Sequence, residues 1–306
     1  MNTCDIIVPT YNGKEKLPYV IEALREQFIP HGWTVRLIVS DDGSRESIRD
    51  VVMKYSWGNP WSTPIILENS HTGRSHARNS AIDAATADII LFLADDIVLR
   101  PNALQQHLLF HVRHAEVSAA ALGCVVWDPR IHPTPFMDWM MHGGQQNDYD
   151  AIAGVSTCNA EHYFYGSFIS IKKSFLGNAR FSEAFAQYGW EDLELGARLQ
   201  AKGLVLHVLH SALALHRHIY TATEILHRQQ IVGSAKYLVN TNISRRIVHR
   251  IYVALGLRAL ARYFMKTRGD TVNMPRFFAL VTAGEFWYGV HHANKLLKRK
   301  SIKVAQ

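Results

Sequence analysis

Only three of the 306 residues are cysteine, and Cys4, Cys124 and Cys158 are scattered without any paired spacing. That excludes a disulfide framework and suits small core or loop positions in a reducing compartment. No uninterrupted apolar stretch is long enough to span a bilayer, which argues against a transmembrane helix. The chain does not open on a signal-peptide pattern; Cys4–Val8 already reads as a core strand, so a cytoplasmic location is expected. Charged residues make up 19% against 48% hydrophobic, a globular balance that excludes a disordered chain. Repeats, low-complexity tracts and nucleic-acid-binding motifs are all missing, so no nucleic-acid partner is expected.

The net charge of +7 is unevenly spread. From Arg245 to the end there are 13 Lys and Arg against 2 Asp and Glu, a net +11, while the remainder carries 20 and 24, a net −4. The basic character belongs to the tail, and an acidic surface is a partner for that part only.

The first hundred residues alternate strand and helix signals. Cys4–Thr10 is an apolar run closed by the turn residues Asn12-Gly13, and Lys14–Phe28 carries Leu17, Val20, Ile21 and Leu24 at helical spacing. Val35–Ser40, Pro64–Leu67 and Asp88–Ala94 read as further strands, with helices predicted over Ser44–Tyr55 and Gly73–Ala85. Continuous apolar strands between amphipathic helices predict an α/β, Rossmann-like, mostly parallel sheet with helices on both faces. Past Pro101 the pattern predicts a helix at Asn102–His114, a strand at Ala120–Trp127 and a loop rich in Pro, Met and Gly from Trp127 to Cys158. That loop reads either as a lid or as an ordinary surface loop. A strand at His162–Lys172, a helix at Glu191–Lys202 and two short strands within Val205–Leu215 follow. From about residue 220 only helical signals remain, over Thr223–Tyr237, Arg246–Tyr263 and Pro275–Lys298, so 1–220 and 221–306 are expected to be separate parts.

Three acidic clusters follow apolar segments: Asp41-Asp42-Gly43-Ser44, Asp95-Asp96, and Glu191-Asp192. Each alone fits a turn, an N-cap or a first helical turn. Together they call for something positive, because adjacent carboxylates repel unless a cation or a cation-bearing ligand is present. On an open α/β sheet, ligands bind at the carboxyl ends of the strands, where these residues fall.

Five segments carry a resemblance: Ile6-Ile7-Val8-Pro9-Thr10-Tyr11-Asn12, Asp41-Asp42-Gly43-Ser44, Gly73-Arg74-Ser75-His76-Ala77-Arg78-Asn79, Phe92-Leu93-Ala94-Asp95-Asp96, and Gly189-Trp190-Glu191-Asp192-Leu193-Glu194-Leu195 with Arg198-Leu199. In this order, over about residues 4 to 218, the chain resembles family-2 glycosyltransferases, which have the GT-A fold. The resemblance implies a 1–220 catalytic domain, with a nucleotide-sugar half to about 100 and an acceptor half from about 101, followed by a basic helical extension. It implies transfer of a sugar, with inversion, from a nucleotide diphosphate donor (a UDP-sugar favoured) to a hydroxyl of a glycan or lipid-linked glycan.

The implied roles are specific. Asp42 would contact the base or ribose, with Pro9, Thr10 and Tyr11 as pocket wall. Arg78 would approach the diphosphate; otherwise it is a helix-surface arginine. Asp95 would touch ribose or a metal-bound water, and Asp96 would ligate Mn²⁺ or Mg²⁺. Ala94 stands where the family's first Asp would be, which leaves that metal fewer carboxylates. His216 would be a further metal ligand, with His218 competing. Asp192 would be the general base, with Glu191 raising its pKa or orienting the acceptor. Gly166, in Tyr165-Gly166-Ser167-Phe168, would let donor or acceptor approach the backbone, and Trp190 would stack on a sugar or pack in the core.

The tail mixes Phe277, Phe278, Phe286, Trp287 and Tyr288 with basic residues and closes on a Lys-Leu-Leu-Lys-Arg-Lys run. Two readings stand: peripheral contact with an anionic membrane, or a helical subdomain packed on protein or making a homo-oligomer contact. Two other functions compete with sugar transfer. A sugar nucleotidyltransferase would favour a glycine-rich basic loop after the first strand, and none is there. A catalytically degenerate scaffold at a membrane would suit Ala94, but not the complete Glu191-Asp192 segment.

Overall fold

The structure, a computed structural model, describes residues 2–142, 147–185, 189–235 and 257–304, with the side chains of 257 and 294–304 outside the description. The strands are β1 (Asn2–Thr10), β2 (Trp33–Asp41), β3 (Ile65–Glu68), β4 (Ile89–Leu93), β5 (Ile97–Leu99), β6 (Ala119–Trp127), β7 (Thr157–Cys158), β8 (Phe168–Lys172) and β9 (Val205–His216). The helices are α1 (Leu17–Arg25), α2 (Arg49–Met53), α3 (Arg74–Ala84), α4 (Ala103–Arg113), α5 (Pro135–Met141), α6 (Ala160–Tyr163), α7 (Lys173–Leu176), α8 (Glu191–Ala201), α9 (Ala222–Ala235), α10 (Leu257–Arg268) and α11 (Pro275–Val304).

The strands form one sheet in the order β3-β2-β1-β4-β8-β6-β9-β5, with β7 paired to β9. β3, β2, β1 and β4 run parallel; β8 enters antiparallel between β4 and β6. The continuous apolar runs are buried on both faces. Ile6, Val8, Leu37 and Val39 pack with α1 and α2 residues on one side, while Ile7, Ile38, Ile90 and Phe92 pack with α3 and α8 residues on the other. Between β1 and β4 the strand order reverses direction. The carboxyl ends of β1, β2 and β4 bring Thr10, Asp41-Asp42 and Asp95-Asp96 to that point, the place where open α/β sheets leave a ligand crevice.

Several expected elements take a different form. The helix expected over Ser44–Tyr55 is only Arg49–Met53. Side chains hold the preceding turn instead: Ser44 N–H donates to Asp41 at 3.1 Å and Arg45 N–H to Asn12 Oδ1 at 3.0 Å, a local competition with helix formation. The expected strand His162–Lys172 begins only at Phe168, since Asn159 Oδ1 caps the short α6 by accepting from Glu161 N–H at 2.8 Å. The two strands expected within Val205–Leu215 are one, with its register against β6 shifting between Gly123 and Cys124; the polar His210-Ser211 break is absorbed as a bulge.

The chain divides into two compact units, one of Met1–Asp128, Tyr149–Ala186 and Glu191–His218, the other of Pro129–Asp148, Gln187–Trp190 and Ile219–Gln306. The second unit is helical. The expected loop Trp127–Cys158 supplies it with α5, started by Thr134 Oγ1 accepting from Met137 N–H and by Pro135 in the first turn. Phe136 and Met140 of α5 share a core with Ile225, Leu226, Met265, Phe278 and Val281. α9 and α11 cross at glycines: a Cβ on Gly233 would sit 2.0 Å from Phe286 O, and one on Gly289 2.0 Å from Gln230 O. Buried Glu285 gathers Arg258 and Arg262, each at 3.1 Å, so two tail arginines are used inside this unit. The expected helix from Arg246 is described from Leu257 onward; 245–256 and the side chains of the closing basic run lie outside the described residues. Among the described residues no helix is long and apolar enough to cross a membrane.

Candidate active site

At the end of β1, Thr10 is buried and its hydroxyl donates to Asp95 Oδ2 at 2.7 Å, while its carbonyl accepts from Asp42 N–H at 2.8 Å. Gly13 must be glycine for this: a Cβ there would lie 1.9 Å from Thr10 Oγ1. Pro9 lies inside the strand and Tyr11 just beyond it, 41% exposed. The Tyr11 ring stacks on His71 with centroids 4.2 Å apart and planes at 19°. Asp42 is buried, and its carboxylate accepts from Thr72 N–H and Gly73 N–H at 3.0 Å and lies 3.0 Å from His71 Nδ1. It therefore anchors the loop into α3 and offsets the unpaired N–H groups there. His71 was not foreseen from sequence. It reaches the site because Asp42 bends the 69–73 loop back over β2, which no local pattern announces.

Asp96 is fixed by the β5–β9 pairing, in which Ile97 faces His216 and Arg217 N–H donates to Asp96 O at 2.8 Å. His216 Nε2 and His218 Nδ1 each lie 3.5 Å from the same Asp96 Oδ2, and Trp127 stacks on His216 with centroids 4.8 Å apart. Both histidines that competed for one role thus share one carboxylate. Burial works against the charge on Asp96, yet His216, Lys16 and His218 hold its pKa below the usual carboxylate value. Asp95 is pushed up to about 6, chiefly by burial and then by the Asp96 charge.

Among the described residues no three His, Cys, Asp or Glu form a ready-made metal cage. Two adjacent ligands of one cation, each about 2.1 Å from it, stand roughly 3.0–3.5 Å apart; the 3.5 Å from Asp96 Oδ2 to either imidazole nitrogen is at the long end of that range, so Asp96 with one histidine could contribute part of a divalent site whose other ligands come from a bound molecule. Beside Asp96 opens a cleft of about 460 Å³ lined by Glu15, Lys16, Tyr19, Asp96, Val98 and Arg217. Arg217 lies 3.9 Å over the Tyr19 ring and pairs with buried Asp128 at 3.1 Å. Lys16, Tyr19 and Arg217 were not singled out in the sequence; only the neighbourhood of His216 could have pointed to Arg217.

The third acidic cluster opens α8, whose first turn carries Glu191, Asp192 and Glu194. Asp192 Oδ1 accepts from Leu193 N–H at 2.9 Å and Oδ2 from Gly166 N–H at 3.3 Å. Its pKa is pushed up to about 6 by burial first and by Glu191 second, with Arg78 and the two N–H groups opposing. Arg78, expected at the helix surface or at a diphosphate, has a side chain only 3% exposed and bonds Glu191 Oε1 at 3.1 Å and Gly166 O at 3.3 Å. Gly166 leaves room for this packing, since a Cβ would be 3.2 Å from Arg78 Nη2. Trp190, expected either to stack on a sugar or to pack in the core, has φ 72° and donates from its indole to Val232 O at 2.9 Å within the helical unit.

One stretch of backbone joins these groups. Gly166 N–H holds Asp192, and the next residue, Ser167, accepts from Ala94 N–H at 3.0 Å, directly before Asp95 and Asp96. Ser167 Oγ and Tyr149 Oη are buried without a hydrogen bond among the described residues.

Comparison with known proteins follows the same region. The family model described as "Glycosyl transferase family 2" matches residues 5–177, more than half of the chain. The chain is 27% identical over 229 residues to the validoxylamine A glucosyltransferase of Streptomyces hygroscopicus subsp. limoneus, covering 66% of this chain and 49% of that protein. It is 27% identical over 192 residues to the GalNAc(5)-diNAcBac-PP-undecaprenol beta-1,3-glucosyltransferase of Campylobacter jejuni, covering 62% and 58%. The chain spans about half the length of the first curated relatives it matches. Similar solved structures include the mannosyltransferase PcManGT from Pyrobaculum calidifontis in complex with GDP-Man and Mn²⁺, at TM-score 0.62, 15% identity and coverage of 95% and 86%. S. aureus TarS 1–349 in complex with UDP matches at TM-score 0.56, 16% identity and coverage of 98% and 92%. At such identities these two likenesses show the fold alone.

Proposed function

Because the chain belongs to glycosyl transferase family 2, we propose that its site performs an inverting transfer from a nucleotide diphosphate sugar to a hydroxyl of a glycan or lipid-linked glycan. The observation that carries this reading is the Gly166-Ser167 backbone. It hydrogen-bonds the buried Asp192 on one side and the strand end bearing Asp95-Asp96 on the other. A proton acceptor is thereby held at a fixed place relative to the acidic strand end where a diphosphate would be received.

Asp192 takes the proton of the acceptor hydroxyl as that oxygen bonds to the anomeric carbon. The bond from that carbon to the diphosphate oxygen breaks, and the electron pair leaves with the nucleoside diphosphate. Attack opposite the leaving group inverts the anomeric centre. A carboxylate with a pKa near 6 is ionised at neutral pH, yet basic enough to share a proton in the transition state. Tyr11 and His71 offer an aromatic face for the base, with Pro9, Thr10 and Asp42 behind it. Asp96, His216 and His218 would hold Mn²⁺ or Mg²⁺, which when bound supplies charge neutralisation at the leaving diphosphate. Lys16 and Arg217 in the adjoining cleft add positive charge of this chain's own.

A UDP-sugar is the favoured donor, supported by the likeness to a fold solved with UDP; the likeness to one solved with GDP-Man makes GDP the competing base. The lipid-linked acceptor is supported by the undecaprenol-linked substrate in a relative's name. An anionic membrane surface is the partner we assign to the helical unit. Exposed Leu260 and Tyr263 on α10 and Leu280 on α11 lie within four residues of the Phe264–Phe277 ring contact, and Lys266, Arg268 and Arg276 are exposed on the same helices.

The test is a donor-hydrolysis and binding screen of UDP-, GDP- and dTDP-sugars with Mn²⁺, followed by Asp192→Asn. The variant is expected to bind the same nucleotide and to lose about 10²- to 10⁴-fold in turnover. Turnover retained in Asp192→Asn rejects Asp192 as base. No binding or hydrolysis with any donor favours a catalytically degenerate scaffold instead.

A further inference from the structure

Arg78 and Glu191 form a buried ion pair for which the transfer step described above has no use. α3 carries Arg74 and Arg78 four residues apart, on one helical face. Arg78 spends its guanidinium on two partners from different elements, Glu191 Oε1 in α8 at 3.1 Å and Gly166 O before β8 at 3.3 Å. The plane lies 4.9 Å from the Phe181 ring, and Nε is buried as well. Little of the group faces solvent, which suits a phosphate contact poorly. Arg74, at 3.7 Å from the same Glu191 oxygen, is the half-exposed member of the pair.

The two partners of Arg78 flank the base from both sides. Glu191 is the residue before Asp192 in the first turn of α8. Gly166 receives Arg78 on its carbonyl and donates its N–H to Asp192 Oδ2 at 3.3 Å. Fixing the carbonyl sets the orientation of that strand end, and pairing Glu191 keeps a second buried carboxylate from collapsing onto the first or swinging the helix start away. The fork geometry of arginine is what allows both contacts at once; an ammonium at the same place is a point charge without the second reach.

We propose that Arg78 is a positioning residue for the Asp192 base, acting through Glu191 and the Gly166 peptide, and not a ligand of the donor diphosphate. This rests on Asp192 being the base. Its signature is a split between chemistry and binding: displacement of a base by about 1 Å costs on the order of 10²-fold in rate, while the nucleotide pocket is left intact.

The experiment compares wild type, Arg78→Lys and Asp192→Asn as full chains. Each is read for kcat with the active sugar nucleotide and for UDP and GDP affinity by calorimetry with Mn²⁺. Arg78→Lys is expected to lower kcat by about 10²-fold with nucleotide affinity within twofold of wild type. A tenfold or greater loss of nucleotide affinity identifies Arg78 as a donor ligand and overturns the proposal. Wild-type kcat in Arg78→Lys overturns it too. An inactive Asp192→Asn alongside either result leaves the base in place and removes only the role of Arg78, whereas an active Asp192→Asn removes the base reading itself. Should Arg78→Lys lack a native melting transition, Gly166→Ala presses a Cβ against the same guanidinium while keeping both charges. It is expected to show the same split, and wild-type kcat there counts against the proposal.

Discussion

Asp192 sits where burial and charge pull against each other. Loss of water and the neighbouring Glu191 raise its pKa to about 6, while Arg78 and the N–H groups of Gly166 and Leu193 restrain the rise. With Asp192 as the proposed base, which acts only when unprotonated, the acidic limb of the kcat/KM–pH profile is expected near pH 6, activity falling as pH drops through it. Glu191→Gln removes the negative neighbour and leaves Arg78 in place, so the limb is expected to move to lower pH. A limb that stays or rises in Glu191→Gln would show that Glu191 does not act on the base electrostatically. At this scale the acidic clusters are legible in the sequence, because Asp-Asp and Glu-Asp after apolar runs are visible locally. The surroundings of Arg78 are not legible there: nothing in Ala77-Arg78-Asn79 reveals a glutamate 113 positions away at 3.1 Å. Trp190 is similar, its indole N–H taken by Val232 O across 42 positions.

At the scale of elements, α8, which carries Asp192, packs tightly on α6. Gly196 lies against the Ala160 carbonyl, and a Cβ there would come within 2.3 Å of that oxygen and 2.4 Å of Phe164 Cβ. Backbone cannot yield as a long side chain can. Gly196→Ala is therefore expected to destabilise by about 1–3 kcal/mol, read as a lower denaturant midpoint at unchanged m-value. An unchanged midpoint would mean that α8 can shift at no cost. The parallel strands β1, β2 and β4 were plain in the sequence as continuous apolar runs, since burial on both faces leaves no room for polar residues. The short α2, the bulged β9 and helix α5 were not. Each is decided by a partner distant in sequence: Asn12 for the turn before α2, β6 for the register of β9, and the helical unit's core for α5.

For the whole molecule, the question is what the +11 of residues 245–306 is for. Part of it is internal, because Arg258 and Arg262 pair with Glu285 inside the helical unit. Lys266, Arg268 and Arg276 remain exposed beside Leu260, Tyr263 and Leu280. The full chain is expected to co-sediment with phosphatidylglycerol-containing vesicles and not with pure phosphatidylcholine, with binding falling as salt rises. Leu260→Glu with Tyr263→Glu is expected to weaken that binding while leaving nucleotide affinity unchanged. Equal binding to both vesicle types or none would reject the membrane role, and a concentration-dependent dimer in ultracentrifugation that the double variant abolishes would assign the face to a second copy.

The family, the α/β layout of the first hundred residues and the three acidic clusters can be read from residue order alone. Those features are written in local order: apolar runs, turn residues and adjacent carboxylates keep their meaning whatever the rest of the chain does. How the clusters are wired together depends on the fold. Two histidines meet one Asp96 oxygen, Asp42 anchors a loop that brings His71 to Tyr11, and Arg78 turns inward to Glu191 and the Gly166 carbonyl. The reason is that buried polar groups must find partners, and the partners here come from whichever strand or helix the fold sets alongside, at separations no sequence window contains.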